Sequence, residues 1–388
     1  MSTYCIISTF YLPNFSGVEK YTANLAHALV ASGQKAIVVT SALEDNPGIA
    51  EEDGVTVVRV PSHLLLNKRF AAPKKGAKLD GLMKWLREQP IDRVLVNQRF
   101  YPTSIFGLKF AESQGLPAIT LDHGSAHLTM ANPFLDFFIQ RYEHLITAID
   151  KRHCSHYCGV SEKSVEWLEH FGIQNASVLH NAIDADDFAT SASNRSFRSE
   201  LGLPDDAFIV AFTGRLMEEK GIMRACAAVE RLAIKGPDNA HLLIAGDGPK
   251  AKEIAELGSK NIHLLGRLSM EDISALLAQS DVFCLPTASE GFSTSMLEAA
   301  AHGLGIIVTD TGGARELMPT NDYGQVIPDV STDTIQQAIL RFCNNRDYLH
   351  QCGANVGHRV RELFSWEQTA KTLMATFDKM ALPADNDR

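Results

Sequence analysis

The 388 residues contain no run of about 18 consecutive apolar residues, so nothing in them reads as a membrane-spanning helix. Excess positive charge is also missing. Thirty-six Lys and Arg against 46 Asp and Glu give a formal net charge of −10. Broad nucleic-acid binding needs a basic footprint, so that class is disfavoured and no nucleic-acid partner is expected. Cysteine is sparse, with seven residues, an odd number, widely scattered. That pattern gives no disulfide framework and suits a reducing compartment. The opening "MSTYCIISTFYLP" lacks the basic segment and long apolar core of a secretory signal. The expected location is cytoplasmic, with at most peripheral contact at the inner membrane face. Low-complexity tracts and short-period repeats are absent.

What is present reads as a globular α/β chain too long for one core. Charge is uneven. The segment up to Asp184 carries 17 basic and 18 acidic residues, whereas the remainder carries 19 and 28. Short β-rich runs alternate with helical patterns. The first half has "TYCIIST", "KAIVVT", "GVTVVRV", "RVLVNQ", "AITLDH" and "ASVLHN". The second has "FIVAFTG", "HLLIAGDG", "IHLLG", "DVFCLP" and "GIIVTD". These runs are continuously apolar, as in strands buried on both faces. Between them lie helices such as "SMEDISALLAQS", with Ile273, Leu276 and Leu277 on one face. Two doubly wound α/β domains are predicted, with a boundary within Asn181 to Ser196.

In such sheets ligands bind beyond the carboxyl ends of the strands, near helix N-termini. In "GRLMEEKG", Arg215 follows a strand, and Lys220 with Gly221 opens the next helix. Two cations there suit a diphosphate, although solvated surface cations give the same pattern. "GDGPKA" at Gly246–Ala251 fits a dinucleotide spacing, but it follows the second strand of its domain, and the next strand ends in Gly266-Arg267 instead of an acid. A tight turn with Pro249 at the first helical position fits better. "HCSHYC" crowds metal-ligand residue types into six positions on a strand-like run, more typical of ordinary buried thiols. His123 in "LDHGSAHL" and Gly17 in "LPNFSGVEKY" each follow a strand, as a ligand-facing pair or as a structural histidine and a turn glycine.

"SEGFSTSMLEAA" places Glu290 and Glu298 on either side of glycine and small hydroxyl residues. Ser295 to Glu298 has the S-x-x-E form of a capping box, which accounts for Glu298 but not for Glu290. Carboxylates accept strong hydrogen bonds from sugar hydroxyls, and free amides at Ser293, Thr294 and Ser295 would hold a phosphate.

In order along the chain, "HNAIDADDF", "GRLMEEKG", "LLIAGDGP", "SEGFSTSMLEAAAHG" and "TDTGGARELM" resemble the motifs of retaining glycosyltransferases of family 4. The resemblance covers nearly the whole chain and is strongest from about Asn181 to Glu316. It implies the GT-B fold, two Rossmann-like domains facing a cleft. Residues 1–184 would form the acceptor-binding domain, with a helix at about 366–382 packing back on it. Residues 185–365 would bind the nucleotide sugar. Arg215 and Lys220 would hold the diphosphate, Glu298 the ribose, and Glu290 the transferred sugar. Gly291, Phe292, Ser293, Thr294 and Ser295 would line the phosphate or sugar. Gly17 would lie near the diphosphate, His123 near the sugar and Arg267 near the base. The catalytic set would be His123, Glu290, Arg215 and Lys220, with no cofactor and no metal. Where the family usually has glycine after Phe292, this chain has Ser293.

The implied partners are a UDP- or GDP-sugar and a sugar, lipid-linked or small-molecule acceptor. A nucleotide-sugar epimerase or a non-catalytic nucleotide-sugar-binding protein would share the architecture. Two first-half segments bear on membrane contact. "NKRFAAPKKGAKLDGLMKWLRE" carries Lys68, Arg69, Lys74, Lys75, Lys78, Lys84 and Arg87, and "NPFLDFFIQRYEHLI" carries Phe134, Phe137 and Phe138. A solvated basic face and a helix turned toward a core are the favoured reading, with peripheral membrane contact as the alternative.

Overall fold

The computed structural model describes residues 1–13, 17–43, 46–65, 70–129, 132–235 and 239–381. Two compact units emerge, one of Met1–Asn181 with Trp366–Arg388, the other of Ala182–Ser365. The division falls slightly ahead of the expected 184/185 boundary for a local reason. Ile183 N donates to Phe364 O at 2.9 Å, and Arg361 pairs with Asp186 at 2.7 Å, which ties this stretch to the second unit. The helix Trp366–Ala381 returns to the first unit. Its buried residues Trp366, Ala370, Leu373 and Phe377 follow helical spacing, so one apolar face is covered. Trp366 meets Tyr21 edge-on at 5.1 Å, and Phe377 meets Tyr4 at 5.9 Å.

The first unit's strands are β1 (Thr3–Ile7), β2 (Lys35–Ser41), β3 (Gly48–Glu52), β4 (Val55–Val60), β5 (Ser62–Leu65), β6 (Phe70–Pro73), β7 (Arg93–Asn97), β8 (Ala118–Asp122), β9 (His156–Gly159) and β10 (Ser177–Val178). Among the described residues, eight form one sheet in the order β10-β9-β8-β7-β1-β2-β4-β3. All its neighbours run parallel except β3, which pairs antiparallel with β4 at the edge. Strands β5 and β6 form a separate hairpin ladder. The sequence pattern does not mark β3, β5 or β6. Strands β3 and β5 are largely solvent-facing, and the short β6 is partly buried, so pairing, not an apolar run, defines them.

The second unit contains β11 (Phe208–Thr213), β12 (Ala240–Ala245), β13 (Ile262–Gly266), β14 (Val282–Leu285), β15 (Gly305–Thr309) and β16 (Gln325–Ile327). They form a parallel sheet in the order β13-β12-β11-β14-β15-β16. Strands β11, β12, β14 and β15 are buried throughout, as their unbroken apolar runs require. Chain order reverses between β11 and β14, which makes that pair the topological switch point.

Two expectations for the first unit meet different outcomes. Lys68 and Arg69 lie outside the described residues. The rest of the basic segment enters β6 and the helix Ala77–Arg87, where Leu79, Leu82, Met83 and Leu86 are buried while Lys78, Lys84 and Arg87 are exposed. That is a solvated basic face, as expected. The helix Pro133–Asp150 is the correction. Phe134 is 71% exposed, Phe137 52%, Phe138 54% and Leu145 64%. Glu143, Ile146, Thr147 and Asp150, at i, i+3, i+4 and i+7, are buried instead. A buried arginine at position 99 recruits the polar face inward, so the aromatic residues point out.

Candidate active site

The loops after the second unit's parallel strands all leave one edge of its sheet, in the sheet's order. After β11 the chain turns through Gly214 and Arg215. After β12 it turns through Gly246 and Gly248. A Cβ on Gly246 would stand 1.8 Å from Gly214 O, and one on Gly248 would stand 2.6 Å from Leu216 O. Leu216 N donates to Asp247 O at 2.9 Å, and Lys250 N donates to Leu216 O at 3.0 Å. The dinucleotide-like spacing is therefore used to seat one loop backbone on another. Pro249 is not the first helical residue, because it precedes Lys250, the N-cap of the helix Ala251–Glu256.

Lys220 does not open a helix directly. It ends the 3-10 turn Glu218–Lys220, and the helix Ile222–Lys235 starts after Gly221. Ala288 N donates to Glu219 O at 2.7 Å, which fastens the loop after β14 to this turn. Thr309 Oγ1 donates to Thr287 O, and Thr287 Oγ1 donates to Ser289 O at 2.9 Å. These bonds bring Lys220 Nζ to 2.8 Å from Glu290 Oε2 and 3.4 Å from Ser289 O. The two side chains are 16% and 26% exposed. Arg215, in the same loop as Lys220, is exposed, and no ion pair to it is found among the described residues. Arg267 lies at the end of β13, 85% exposed and 3.5 Å from Asp247 Oδ2. It is thus two strands from β11 in the sheet, away from the Lys220–Glu290 pair.

The helix Thr294–Ala301 is capped by Ser293, whose Oγ accepts from Met296 N at 3.3 Å. The capping box expected from Ser295 does not form, because Ser295 already lies inside the first turn. Ser293 supplies the cap in its place. Glu298 is buried at mid-helix instead of closing a box. Ahead of the cap, Phe292 is buried and meets Phe364 at 5.3 Å. A Cβ on Gly313 would stand 2.1 Å from the Phe292 ring, and one on Gly312 would stand 2.6 Å from Gly291 O. The "TGG" turn therefore presses directly on the Glu290–Phe292 loop and fixes its height. The structure thus gathers Arg215, Lys220, Glu290, Gly291, Phe292, Ser293, Thr294, Ser295 and Glu298 around the switch point. Cations, carboxylates and a helix N-terminus together can hold a polyanion bearing hydroxyl groups.

Gly17 and His123 belong to the first unit. Gly17 begins the helix Gly17–Ala31, and no described atom lies within 4 Å of where its Cβ would sit. His123 Nε2 lies 3.2 Å from Asn97 Oδ1, while Asn97 Nδ2 donates to Thr22 Oγ1 at 2.7 Å. The network assigns the proton to Nε2. Burial pushes the His123 pKa down to about 3, so the ring is neutral near pH 7. It can accept or donate a hydrogen bond but brings no positive charge.

Sequence reasoning passed over Arg99, just beyond β7. Its Nε donates to Asp122 Oδ2 at 2.7 Å, its NH2 group lies 3.6 Å from Glu143, and its guanidinium stacks on Phe171 at 3.7 Å. All three charged side chains are at most 2% exposed. Asp122 is the residue before His123, so this cluster anchors the loop that carries it. The available signal was an arginine directly after a strand. The "HCSHYC" segment gives no ligand cluster: Cys154 and Cys158 are buried, and His153 pairs with Glu112 at 2.8 Å.

Two α/β units, with this row of loops on the second, are the elements of the GT-B fold. Two family models match in tandem: Glycosyltransferase Family 4 over residues 15–187 and Glycosyl transferases group 1 over residues 193–359. The chain belongs to the family 4-like GT-B glycosyltransferases. It is similar to the phosphatidylinositol N-acetylglucosaminyltransferase gpi3 subunit of Schizosaccharomyces pombe, with 24% identity over 97% of this chain and 80% of that protein. Its fold matches sucrose-phosphate synthase from Thermosynechococcus elongatus with TM-score 0.74 at 17% identity, over 98% of this chain and 99% of that one. It also matches Anabaena HepE in complex with UDP, with TM-score 0.73 at 16% identity, over 98% and 100%.

Proposed function

We propose that the chain transfers a sugar from a nucleoside-diphosphate sugar, a UDP-sugar first among them, to a hydroxyl of a membrane-borne acceptor with retention of configuration. The observation that carries the donor half is the Lys220–Glu290 pair at the switch point, beside the N-terminus of the helix Thr294–Ala301. When a diphosphate arrives, Lys220 exchanges the carboxylate for phosphate oxygen, and Glu290 is released to accept from sugar hydroxyls. Arg215 adds a second cation, and the amides at the helix start add dipoles. The bond between the anomeric carbon and the diphosphate breaks while the acceptor oxygen bonds to the same face. The acceptor proton passes to the departing phosphate oxygen. Arg215 and Lys220 offset the growing charge on that leaving group, the role a metal ion plays elsewhere. Glu298 takes the ribose, and neutral His123 bonds to the sugar. The relative's N-acetylglucosaminyltransferase name and the UDP bound to a structural neighbour favour UDP-sugars.

A thermal-shift screen with UDP, GDP, ADP and their sugars tests the donor. A ligand at about 100 times its Kd adds about 2.7 kcal/mol, so the true nucleotide should stand out by several degrees. If no nucleotide raises the melting temperature, the donor reading fails. An isomerised sugar formed without acceptor would favour epimerisation.

The acceptor half rests on the exposed Phe134, Phe137 and Phe138. Arg141 stacks over Phe137 at 5.2 Å, and Phe70 at the start of β6 meets Tyr142 at 6.0 Å. Aromatic side chains flanked by cations suit an anionic membrane surface. No described helix is long and apolar enough to cross a membrane. Binding to phosphatidylinositol-containing vesicles should weaken as salt is raised, and Phe134→Ser with Phe138→Ser should abolish most of it. Binding indifferent to both would remove the membrane surface from the proposal.

A further inference from the structure

Three histidines that take no part in the proposed transfer meet in the first unit. His127 lies in the loop after β8, His144 in the helix Pro133–Asp150, and His170 directly after the helix Glu162–Glu169. Each offers a ring nitrogen, and these atoms all lie within 4.8 Å of one another. The ring centroids are 5.8 Å apart for His127 and His144, 5.1 Å for His127 and His170, and 5.0 Å for His144 and His170. Three segments distant in sequence thus converge their imidazoles on one point.

The cluster is oriented from behind. His127 Nδ1 lies 3.0 Å from Glu143 Oε2, and the other Glu143 oxygen accepts from Leu128 N at 2.8 Å. An ionised carboxylate only accepts, so Nδ1 carries the proton and Nε2 keeps its lone pair. A buried carboxylate behind an imidazole is the arrangement that orients metal-binding histidines. His170 lies flat on Trp167, with ring centroids 4.8 Å apart and planes 5° apart. His144 and His170 are exposed, so both can turn.

We propose that His127, His144 and His170 bind one divalent transition-metal cation of the zinc type, with a fourth position open to water. Three imidazoles suit zinc, cobalt or nickel, whereas magnesium and calcium require oxygen ligands. Zinc–nitrogen bonds of about 2.0–2.1 Å place tetrahedral ligand atoms about 3.4 Å apart, a contraction that rotation of the two exposed rings supplies. The ion staples the Pro133–Asp150 helix to the end of the Glu162–Glu169 helix. It serves no step of sugar transfer and is independent of that reading.

The test uses untagged full-length protein stripped with a chelator and then freed of it. Zinc chloride alone is titrated by calorimetry, and cobalt chloride by visible absorption. The expected result is one saturable equivalent of zinc, a four-coordinate cobalt spectrum, and a melting temperature raised by zinc. His144→Ala and His170→Ala, both at exposed positions, should keep the metal-free melting temperature. Each should weaken zinc binding by at least the roughly 10–100-fold that loss of an orienting partner costs. The absence of saturable zinc binding, or undiminished binding in both variants, would overturn the proposal.

Discussion

Lys220→Ala should lower the kcat/KM of transfer by about 100- to 1,000-fold, the usual cost of removing one preorganised group that meets charge formed in the transition state. The prediction follows from where Lys220 sits. Its Nζ is already held 2.8 Å from Glu290 beside the Thr294–Ala301 helix start, so little reorganisation separates the resting pair from a diphosphate-bound state. Glu290→Gln should also reduce transfer, because one acceptor oxygen and the charge that strengthens acceptance from sugar hydroxyls are removed, while leaving UDP binding closer to normal. The two variants separate the roles: lysine loss weakens UDP itself, and glutamate loss weakens discrimination among UDP-sugars. Stability should change little in either, because both side chains are partly solvated and such pairs contribute about 0–1 kcal/mol. Initial rates with a labelled donor, together with UDP-induced thermal shifts, check this. Full activity in Lys220→Ala would end the assignment.

Arg99→Met should cost about 3–5 kcal/mol of stability, because breaking a buried charge pair strands its partners. Methionine keeps much of the apolar stem but none of the donors. Asp122 and Glu143 would then face each other's charge at about 1% exposure with no guanidinium between them. Asp150, already pushed up to about 8 chiefly by burial, with Asp122 adding to the rise, would also lose the Arg99 charge that now pulls it down. Arg99→Lys should not rescue it fully, since a lysine cannot reproduce both the Asp122 bond and the stack on Phe171. Urea unfolding monitored at two wavelengths tests the loss. A change below about 1 kcal/mol would mean that the cluster relaxes or hydrates, and that Arg99 does not anchor the His123 loop.

Much of the second unit was legible in the sequence. Runs such as "FIVAFT" and "VFCL" are apolar at every position because their strands are covered on both faces, and this pattern survives without knowledge of neighbours. The residues after each strand could be selected for the same reason. Less of the first unit was legible. The half-exposed strands β3 and β5 offer little apolar signal, and the Pro133–Asp150 helix has apolar residues on a face that the fold turns outward. Periodicity reports a stripe but not which side meets the core. Here Arg99 decided it, by drawing Glu143 and Thr147 inward.

By itself, then, the sequence determined the alternation of strands and helices, the two-part organisation and the residue types that meet a ligand, since burial on both faces and turn chemistry are written locally. Only the tertiary structure decided who meets whom. Lys220 and Glu290 touch because parallel pairing of β11 with β14 places the two following loops side by side. Ser293 is the cap, and Ser295 is not, because the backbone turns two residues earlier, where Gly312 and Gly313 press on the Glu290–Phe292 loop. His127, His144 and His170 converge for the same reason: contacts between distant segments follow from packing, which no local pattern of residues records.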